Sequence, residues 1–219
     1  MEGRINVILD LDNTIINALE EDELVNVPLN FQNKFIYHDM NPYFRIFGRP
    51  HLEQFLDFLF ENFNVSVFTA AEHKYAMFII ENFIYTKPSR QLDFILFRNH
   101  VDMTKKLYGK DKDLRLLFDI IKPFNFYKCN TVIIDDLDEV CKANPNNCIP
   151  VIAFNVATRN DNKDSEDYYI PNYNSADDNE LLRVMNKLKI IKNKFDLSGC
   201  TGCIYRQQPP KGSILEIFI

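Results

Sequence analysis

The sequence lacks several features that would place it in a common class of proteins. No apolar run approaches the ~20 residues that a membrane-spanning helix needs. The first residues lead into a strand-like run without the apolar stretch of a secretory signal peptide. Lys and Arg number 25 against 31 Asp and Glu, so the chain lacks the basic footprint of a general nucleic-acid binder. We therefore expect a soluble protein of the cytoplasm or nucleus that binds neither membranes nor nucleic acid directly.

Tryptophan is absent and cysteine is sparse. The aromatic content lies in 19 Phe and 10 Tyr, and 46% hydrophobic residues are enough for a sizeable core. The five cysteines are scattered and do not form the pattern of a secreted disulfide framework. Cys200 and Cys203 form a CxxC pair, but a zinc site usually needs a second pair of ligands. We interpret them as two thiols in a turn.

What the sequence does contain is a regular alternation of short apolar runs with amphipathic stretches. The predicted strands cover residues 5–9, 65–68, 94–97, 131–134 and 149–152. Arg49-Pro50 begins the first predicted helix, because Pro suits the first helical position. Three further helices are predicted at residues 72–84, 114–121 and 177–194. Pro150 marks the last of these strands as an edge strand. This alternation predicts an α/β fold with a doubly wound parallel sheet.

Three segments do not follow the alternation. Residues 17–47 hold short apolar pieces broken by prolines, which predicts a small insertion of two or three antiparallel strands after the first strand. Residues 155–175 are polar and are predicted to form a long loop. The tail, residues 196–219, ends in a strand-like run that could extend this sheet or pair with a second copy, so we expect a monomer or a homodimer. We expect one domain over residues 1–195.

Three predicted strands end in residues that can do chemistry. Asp10 opens the segment Asp10-Leu11-Asp12-Asn13-Thr14, Thr69 ends the second strand, and Asp135-Asp136 ends another. Ligand sites in such sheets lie at the carboxyl ends of the strands, so these side chains should converge. Each residue alone has an ordinary explanation as a turn, a helix cap or a strand end. Their order, with a lysine between Thr69 and Asp135, is more informative.

In this order the motifs resemble the four motifs of the haloacid dehalogenase superfamily. Within it, the sequence resembles the phosphatases that act on the C-terminal domain of RNA polymerase II, the small CTD phosphatase-like family. The resemblance spans about residues 5–195 and is carried by residues 10–14, 49–56, 67–71, 96–98, 112–114, 132–136 and 177–182. It implies a Rossmann-like fold and the hydrolysis of phosphoserine or phosphothreonine in proteins.

The resemblance also implies a role for each motif residue. Asp10 would attack phosphorus and form an aspartyl phosphate, while Asp12 would act as general acid and then as general base. Thr69 would donate a hydrogen bond to a phosphoryl oxygen. Lys112 would neutralise charge on the phosphate and on the nucleophile.

The expected cofactor is Mg²⁺, which prefers oxygen ligands and is commonly held by one or two carboxylates. The resemblance assigns it to the Asp10 carboxylate, the Asp12 backbone carbonyl and Asp136, with Asp135 as a nearby support. Many small relatives have Asn at the position of Asp136. The Asp-Asp form is more similar to the larger polymerase-tail phosphatases.

Two assignments leave alternatives open. Lys105, Lys106 and Lys110 compete with Lys112, which we favour because Lys-Asp-Leu leads into a helix as it does in the family. Arg98 is a candidate for binding the phosphopeptide by resemblance, and an ordinary surface ion pair is the alternative.

The insertion is small, and no segment is large enough for the lid that seals the sites of many metabolite phosphatases. An open site suits a phosphopeptide or phosphoprotein, including the C-terminal domain of RNA polymerase II. The alternatives are a phosphatase of small molecules or nucleotides and a binding module without turnover. Every expected catalytic position is filled, which argues against the binding module. Richness in Asn, Lys, Ile and Phe is typical of AT-rich genomes, such as those of some parasites and large DNA viruses.

Overall fold

The computed structural model describes residues 4–160 and 168–198. In chain order the strands are β1 (Asn6–Leu9), β2 (Ile16–Leu19), β3 (Tyr37–Met40), β4 (Phe44–Gly48), β5 (Asn64–Phe68), β6 (Ile95–Leu96), β7 (Thr131–Asp135), β8 (Cys148–Pro150), β9 (Ala157–Asn160) and β10 (Tyr168–Pro171). The α-helices are α1 (Leu29–Gln32), α2 (Leu52–Asn62), α3 (His73–Ile79), α4 (Arg98–Tyr108), α5 (Asp138–Ala143) and α6 (Glu180–Ser198). Short π-helices cover Ile80–Ile84 and Leu116–Ile121, and a 3₁₀ turn covers Tyr173–Asp177.

Five strands form a parallel sheet in the order β6-β5-β1-β7-β8. The first strand of the chain lies at the centre, where Leu9 pairs with Val67 on one side and with Ile134 on the other. Strand β8 is an edge strand, as Pro150 predicts. The arrangement confirms the predicted α/β fold with a central parallel sheet.

The two faces of this sheet bury different sets of side chains because successive residues of a strand point to opposite faces. Val7 and Leu9 of β1 belong to a core cluster with residues of α2, α3 and α6. Ile8 belongs to a second cluster with Val101 of α4 and Val140 of α5. Helices therefore cover both faces of the sheet, and its central strands are mostly apolar.

The insertion between β1 and α2 forms its own small sheet. Strands β2, β4 and β3 pair antiparallel in that order, which agrees with the two or three strands predicted for residues 17–47. Its aromatic side chains pack into a third core cluster, where the rings of Phe35 and Phe47 meet those of Phe154 and Tyr37. The insertion is thus tied to the segment that follows β8.

The predicted long loop at residues 155–175 is wrong. Strands β9 and β10 pair antiparallel within it, with Ala157 opposite Pro171. Their side chains are mostly polar or exposed, and Ala157 is the one buried residue of the pair of strands. A two-stranded ribbon held mainly by backbone hydrogen bonds leaves little hydrophobic pattern in the sequence.

Helix α4 was also not predicted. Its apolar face is narrow, since His100, Val101 and Thr104 are its buried residues, and its last turn carries Lys105 and Lys106. It ends at Gly109, whose φ of +68° suits glycine. With so few apolar residues and two lysines in its last turn, the segment lacks the apolar stripe by which a helix is predicted.

Two further details differ from the sequence predictions. The last helix begins at Glu180, because the 3₁₀ turn precedes it. Cys141 of α5 and Cys148 of β8 form a disulfide, which the scattered spacing of the cysteines did not indicate. The predicted tail strand and the CxxC pair lie outside the described residues. Among the described helices, none has the length and hydrophobicity needed to cross a bilayer.

Candidate active site

The carboxyl ends of the three central strands lie side by side. Leu9, Val67 and Ile134 are in register, so Asp10, which follows β1, is level with Asp135, the last residue of β7. The backbone N–H of Asp10 donates to the carbonyl of Ile134 at 3.0 Å. Thr69 follows β5 directly. The parallel pairing therefore gathers the polar residues that end the strands at one edge of the sheet.

Lys112 joins two of these strand ends. Its Nζ lies 2.6 Å from Oδ1 of Asp10 and 2.8 Å from Oδ2 of Asp135, and all three side chains are buried. Burial alone would lower the pKa of Lys112, but the two carboxylates outweigh it and raise that pKa above its ordinary value. The lysine therefore stays protonated and compensates part of the negative charge of the site.

The backbone of Lys112 is held in an unusual conformation. Its φ of 47° lies in the left-handed region, which residues other than Gly, Asn and Asp seldom adopt. The side-chain amide of Asn144 donates to the Lys112 carbonyl at 2.9 Å and its oxygen accepts from the N–H of Leu114 at 2.9 Å. These bonds fix the turn that directs the ammonium inward.

Three carboxylates form a cluster that could hold a cation. Oxygens of Asp10, Asp135 and Asp136 all lie within 4.8 Å of one another. Burial and repulsion from Asp10 raise the pKa of Asp136 and of Asp135. Lys112 partly offsets this effect at Asp135. An all-oxygen donor set with excess negative charge fits Mg²⁺.

The two acids of the Asp-Asp pair have different environments. Asp135 is fully buried and its oxygens accept hydrogen bonds from Lys112 and from the N–H of Leu137. Asp136 is half-buried, and one of its oxygens accepts from the hydroxyl of Thr14 at 3.4 Å. Asp136 therefore has more freedom to bind a cation, while Asp135 holds Lys112.

Asp12 lies outside the carboxylate cluster. Its Oδ1 accepts a hydrogen bond from the hydroxyl of Tyr75 at 2.5 Å. Burial raises the pKa of Asp12 to about 6, against the opposing effect of the Tyr75 hydrogen bond. A carboxyl with this pKa can give up and recover a proton near neutral pH. Tyr75 lies within the predicted helix 72–84, and the sequence gave no sign of this contact.

The loop that carries Asp12 turns back on itself. Asn13 adopts a φ of 55°, which Asn tolerates better than most residues. The N–H groups of Ile15 and Ile16 then donate to the carbonyl of Leu11 at 2.9 and 3.2 Å. As a result the hydroxyl of Thr14 reaches Oδ2 of Asp10 at 3.3 Å, a contact that the sequence analysis did not assign.

Arg49 stabilises this loop by hydrogen bonds, and the sequence analysis also assigned it no role. Its buried guanidinium donates to the carbonyl of Thr14 at 2.9 Å and to both carboxylate oxygens of Asp178 at 3.0 and 2.8 Å. A further bond reaches the carbonyl of Ile152 at 2.8 Å. The Arg49 guanidinium thus connects the loop that carries Asp12, the segment after β8 and the start of the last helix.

The remaining candidates lie as follows. Thr69 is buried, and its hydroxyl oxygen accepts from the N–H of Ala71 at 3.0 Å, which leaves the hydroxyl hydrogen able to donate. Arg98 is exposed and forms an ion pair with Glu72 at 3.0 Å, the ordinary alternative for this residue. Within the described chain, no contact joins Arg98 to the carboxylate cluster. Of the competing lysines, Lys105 pairs with Asp111 on the surface.

Comparison with known proteins gives consistent results. A family model described as NLI interacting factor-like phosphatase matches residues 5–198. The chain is 44% identical over 156 residues to a CTD phosphatase-like protein of Invertebrate iridescent virus 6, covering 68% of this chain and 85% of that protein. It is 35% identical over 194 residues to a CTD phosphatase-like protein of Invertebrate iridescent virus 3, covering 85% of this chain and 96% of that protein.

Among solved structures, the fold is similar to that of Fcp1, an essential RNA polymerase II CTD phosphatase. The TM-score is 0.63 at 21% sequence identity. The match covers 88% of this chain and 63% of the Fcp1 chain, so this chain spans less than two thirds of that structure. At this identity the likeness concerns the fold.

Proposed function

The chain belongs to the family of NLI interacting factor-like phosphatases, and from this premise we propose that it is a Mg²⁺-dependent phosphatase of phosphoserine or phosphothreonine in proteins. The observation that carries the proposal is the buried contact of Lys112 with Asp10 and Asp135 beside Asp136. A phosphate ester is polyanionic, so a carboxylate can attack it only where cations offset the repulsion. We assign residues 1–195 to one phosphatase domain with a small insertion at 17–47.

In the first step, a carboxylate oxygen of Asp10 attacks phosphorus and the bond to the seryl or threonyl oxygen breaks. Asp12, whose pKa is raised to about 6, gives its proton to that leaving oxygen. Lys112 and the hydroxyl of Thr69 stabilise the phosphoryl oxygens. The product of this step is an aspartyl phosphate on Asp10.

In the second step, the carboxylate of Asp12 takes a proton from water as the water oxygen attacks phosphorus. The bond to Asp10 breaks, inorganic phosphate leaves, and Asp12 is again protonated. Burial, together with repulsion from Asp10, raises the pKa of Asp12, and this proximity to the nucleophile supports the double use of Asp12. Tyr75 holds the Asp12 carboxyl by its 2.5 Å hydrogen bond.

The carboxylates fit a magnesium ion, and we propose that Asp10, Asp136 and the backbone carbonyl of Asp12 hold it, with Asp135 in support. When bound, the ion supplies positive charge next to the phosphoryl oxygens. Asp135 supports the arrangement through Lys112, since its oxygens are already engaged.

The substrate class follows from the family and from the small insertion. The relatives are named CTD phosphatases or CTD phosphatase-like proteins. Residues 16–48 form a three-stranded sheet with one short helix, too small to enclose a metabolite-sized site. We therefore propose a phosphoprotein substrate, with the C-terminal domain of RNA polymerase II as the first candidate.

The test is a phosphate-release assay with phosphoserine and phosphothreonine peptides in the presence of Mg²⁺. We expect release that EDTA abolishes and that added Mg²⁺ restores. Asp10→Asn should fold and bind peptide but release no phosphate. Substantial activity in Asp10→Asn would exclude Asp10 as the nucleophile. A sugar phosphate turned over with a kcat/KM orders of magnitude above every phosphopeptide would favour the small-molecule reading instead.

A further inference from the structure

A groove on the insertion has no part in the proposed mechanism and is linked to Asp12 through Phe44 and Tyr75. It is open to solvent and has a volume of about 590 Å³. The lining residues used below are Glu20, Glu21, Asp22, Val25, Tyr43 and Phe44. The groove thus has an acidic side, formed by Glu20, Glu21 and Asp22 of the loop after β2, and an apolar side, formed by Val25 of the same loop with Tyr43 and Phe44 at the start of β4.

The acidic side is a folded loop. The N–H of Leu24 donates to the carbonyl of Glu20 at 3.2 Å, and the N–H of Glu20 donates to the Glu23 carboxylate at 2.7 Å. Glu20, Glu21 and Asp22 are exposed. Within residues 4–160 and 168–198, no ion pair involves any of their three carboxylates. The loop therefore presents three negative charges that no cation of the described chain neutralises by direct contact.

The apolar side is unusually exposed for large hydrophobic residues. Val25 is 76% exposed and Tyr43 is 55% exposed. The ammonium of Lys74 lies 5.8 Å from the centroid of the Tyr43 ring, within the range of a cation–π contact. The Tyr43 ring thus already lies near one cation, the ammonium of Lys74. An extended basic side chain suits both sides of the groove. Its methylene stem can pack on the apolar surface, and its charge can pair with the carboxylates.

An aromatic contact and a hydrogen bond link the groove to the proposed catalytic centre. The ring of Phe44 packs edge-on against that of Tyr75, with centroids 5.4 Å apart. The hydroxyl of Tyr75 in turn donates to Asp12. Two side chains therefore separate the groove from the carboxyl proposed to protonate the leaving group.

We propose that this groove binds a basic side chain of the substrate, so that the preferred phosphopeptide carries Lys or Arg close to its phosphorylated residue. The inference rests on the proposed function and adds the chemistry of the flanking sequence. The phosphate of the substrate needs positive charge at the catalytic site. A basic residue of the same peptide would bind the separate acidic surface, and the two contacts together would orient the peptide.

The test uses matched phosphopeptides in which one position, moved stepwise along the chain, is Lys or Gln. Binding is measured by fluorescence anisotropy to the full chain carrying Asp10→Asn, so that turnover does not interfere. We expect a Lys peptide to bind roughly tenfold tighter than its Gln partner when the basic residue is at a favourable position, as a few exposed ion pairs would allow. The difference should shrink at high salt.

Two variants of equal charge change locate the effect. Glu20→Gln, Glu21→Gln and Asp22→Asn together should remove the preference for Lys. The control combines Glu61→Gln, Glu81→Gln and Asp102→Asn, which are exposed acids outside the groove, and it should keep the preference. Both variants lose three negative charges, so only the position of the charges differs.

The outcomes separate the inference from the function. Equal binding of Lys and Gln peptides at every position would indicate an uncharged partner and would overturn the inference. Equal loss in both triple variants would assign the preference to the overall field of the protein and would also overturn it. Phosphate release by the chain with Asp10 intact is measured in parallel. A clear Lys preference without any phosphate release would remove the proposed function but leave the groove as a binding site.

Discussion

The charge balance of the site depends on Lys112. It is the buried cation between Asp10 and Asp135, and its own backbone is held in a left-handed conformation by Asn144. Sequence alone left four lysines in competition for this role, because each lies in one lysine-rich stretch. What separates them is burial, a property of the folded chain that spacing does not encode.

We expect Lys112→Met to lower kcat by about 10²–10³-fold, in line with the loss of one stabiliser of transition-state charge. Without the ammonium, the carboxylates of Asp10 and Asp135 also repel each other. Phosphate release measured under saturating Mg²⁺ tests this expectation. The matched control is Lys110→Met, an exposed lysine two residues away, which should stay within about twofold of the unmodified chain. Similar losses in both variants would exclude the assigned role of Lys112.

Asp12 and Tyr75 set the expected pH dependence. Asp12 must be protonated for the first step, and its pKa is raised to about 6. We therefore expect kcat/KM to fall as the pH rises above about 6. The Tyr75 hydrogen bond lowers the pKa of Asp12, so Tyr75→Phe should raise that pKa and move the alkaline limb of the profile to higher pH.

The measurement is kcat/KM against pH with one phosphopeptide for both proteins. Tyr75→Phe removes the hydroxyl and retains the ring that packs on Phe44. A limb that stays in place, or moves to lower pH, would show that Tyr75 does not act on the titration of Asp12. The control variant is Tyr85→Phe, a partly exposed tyrosine at the end of the next helical turn.

At the scale of secondary-structure elements, the predictable part of the fold is the part with a simple hydrophobic period. Strands β1, β5 and β7 are mostly apolar and were located within a residue or two. Because their ends carry Asp10, Thr69 and Asp135, the convergence of those residues followed from parallel pairing. Elements with narrow or absent apolar faces, such as α4 and the β9–β10 ribbon, left no comparable pattern.

The contacts that support the site were beyond the reach of sequence for a different reason. Arg49 touches Thr14, Ile152 and Asp178, which lie far apart along the chain. No local spacing relates them, and only the packing of the motif loop, the segment after β8 and the last helix brings them together. The same holds for Tyr75 and Asp12, which are 63 residues apart.

Arg49 allows a prediction about how these elements are joined. We expect Arg49→Ala to lower the free energy of unfolding by about 3 kcal/mol, since it leaves Asp178 and two carbonyls without their partner. Chemical denaturation followed by circular dichroism gives this value. The control is Lys192→Ala, which breaks an exposed ion pair with Asp196 on α6 and should cost less than about 1 kcal/mol. Equal effects of the two changes would contradict the bridging role of Arg49.

At the scale of the whole molecule, the site holds an unfavourable concentration of negative charge. The chain has a net charge of −6, and three of its acids lie within 4.8 Å of one another at the end of the sheet. The pKa of Asp136 is raised, so its ionised form is less stable in the folded protein than in the unfolded chain. At neutral pH this carboxylate therefore lowers stability unless a cation binds beside it.

Two increases in Tm follow from this charge. Mg²⁺ well above its Kd should raise the Tm of the unmodified protein by about 5 °C or more, because it binds the folded state alone. Asp136→Asn should melt at a higher temperature than the unmodified protein without Mg²⁺, since it removes the repulsion, and should gain less from added Mg²⁺. Differential scanning fluorimetry at neutral pH, with KCl at matched ionic strength, measures both effects. Asp102→Asn, a change at an exposed acid of α4, should keep the full magnesium shift. If Asp136→Asn kept it as well, Asp136 would not be a ligand of the ion.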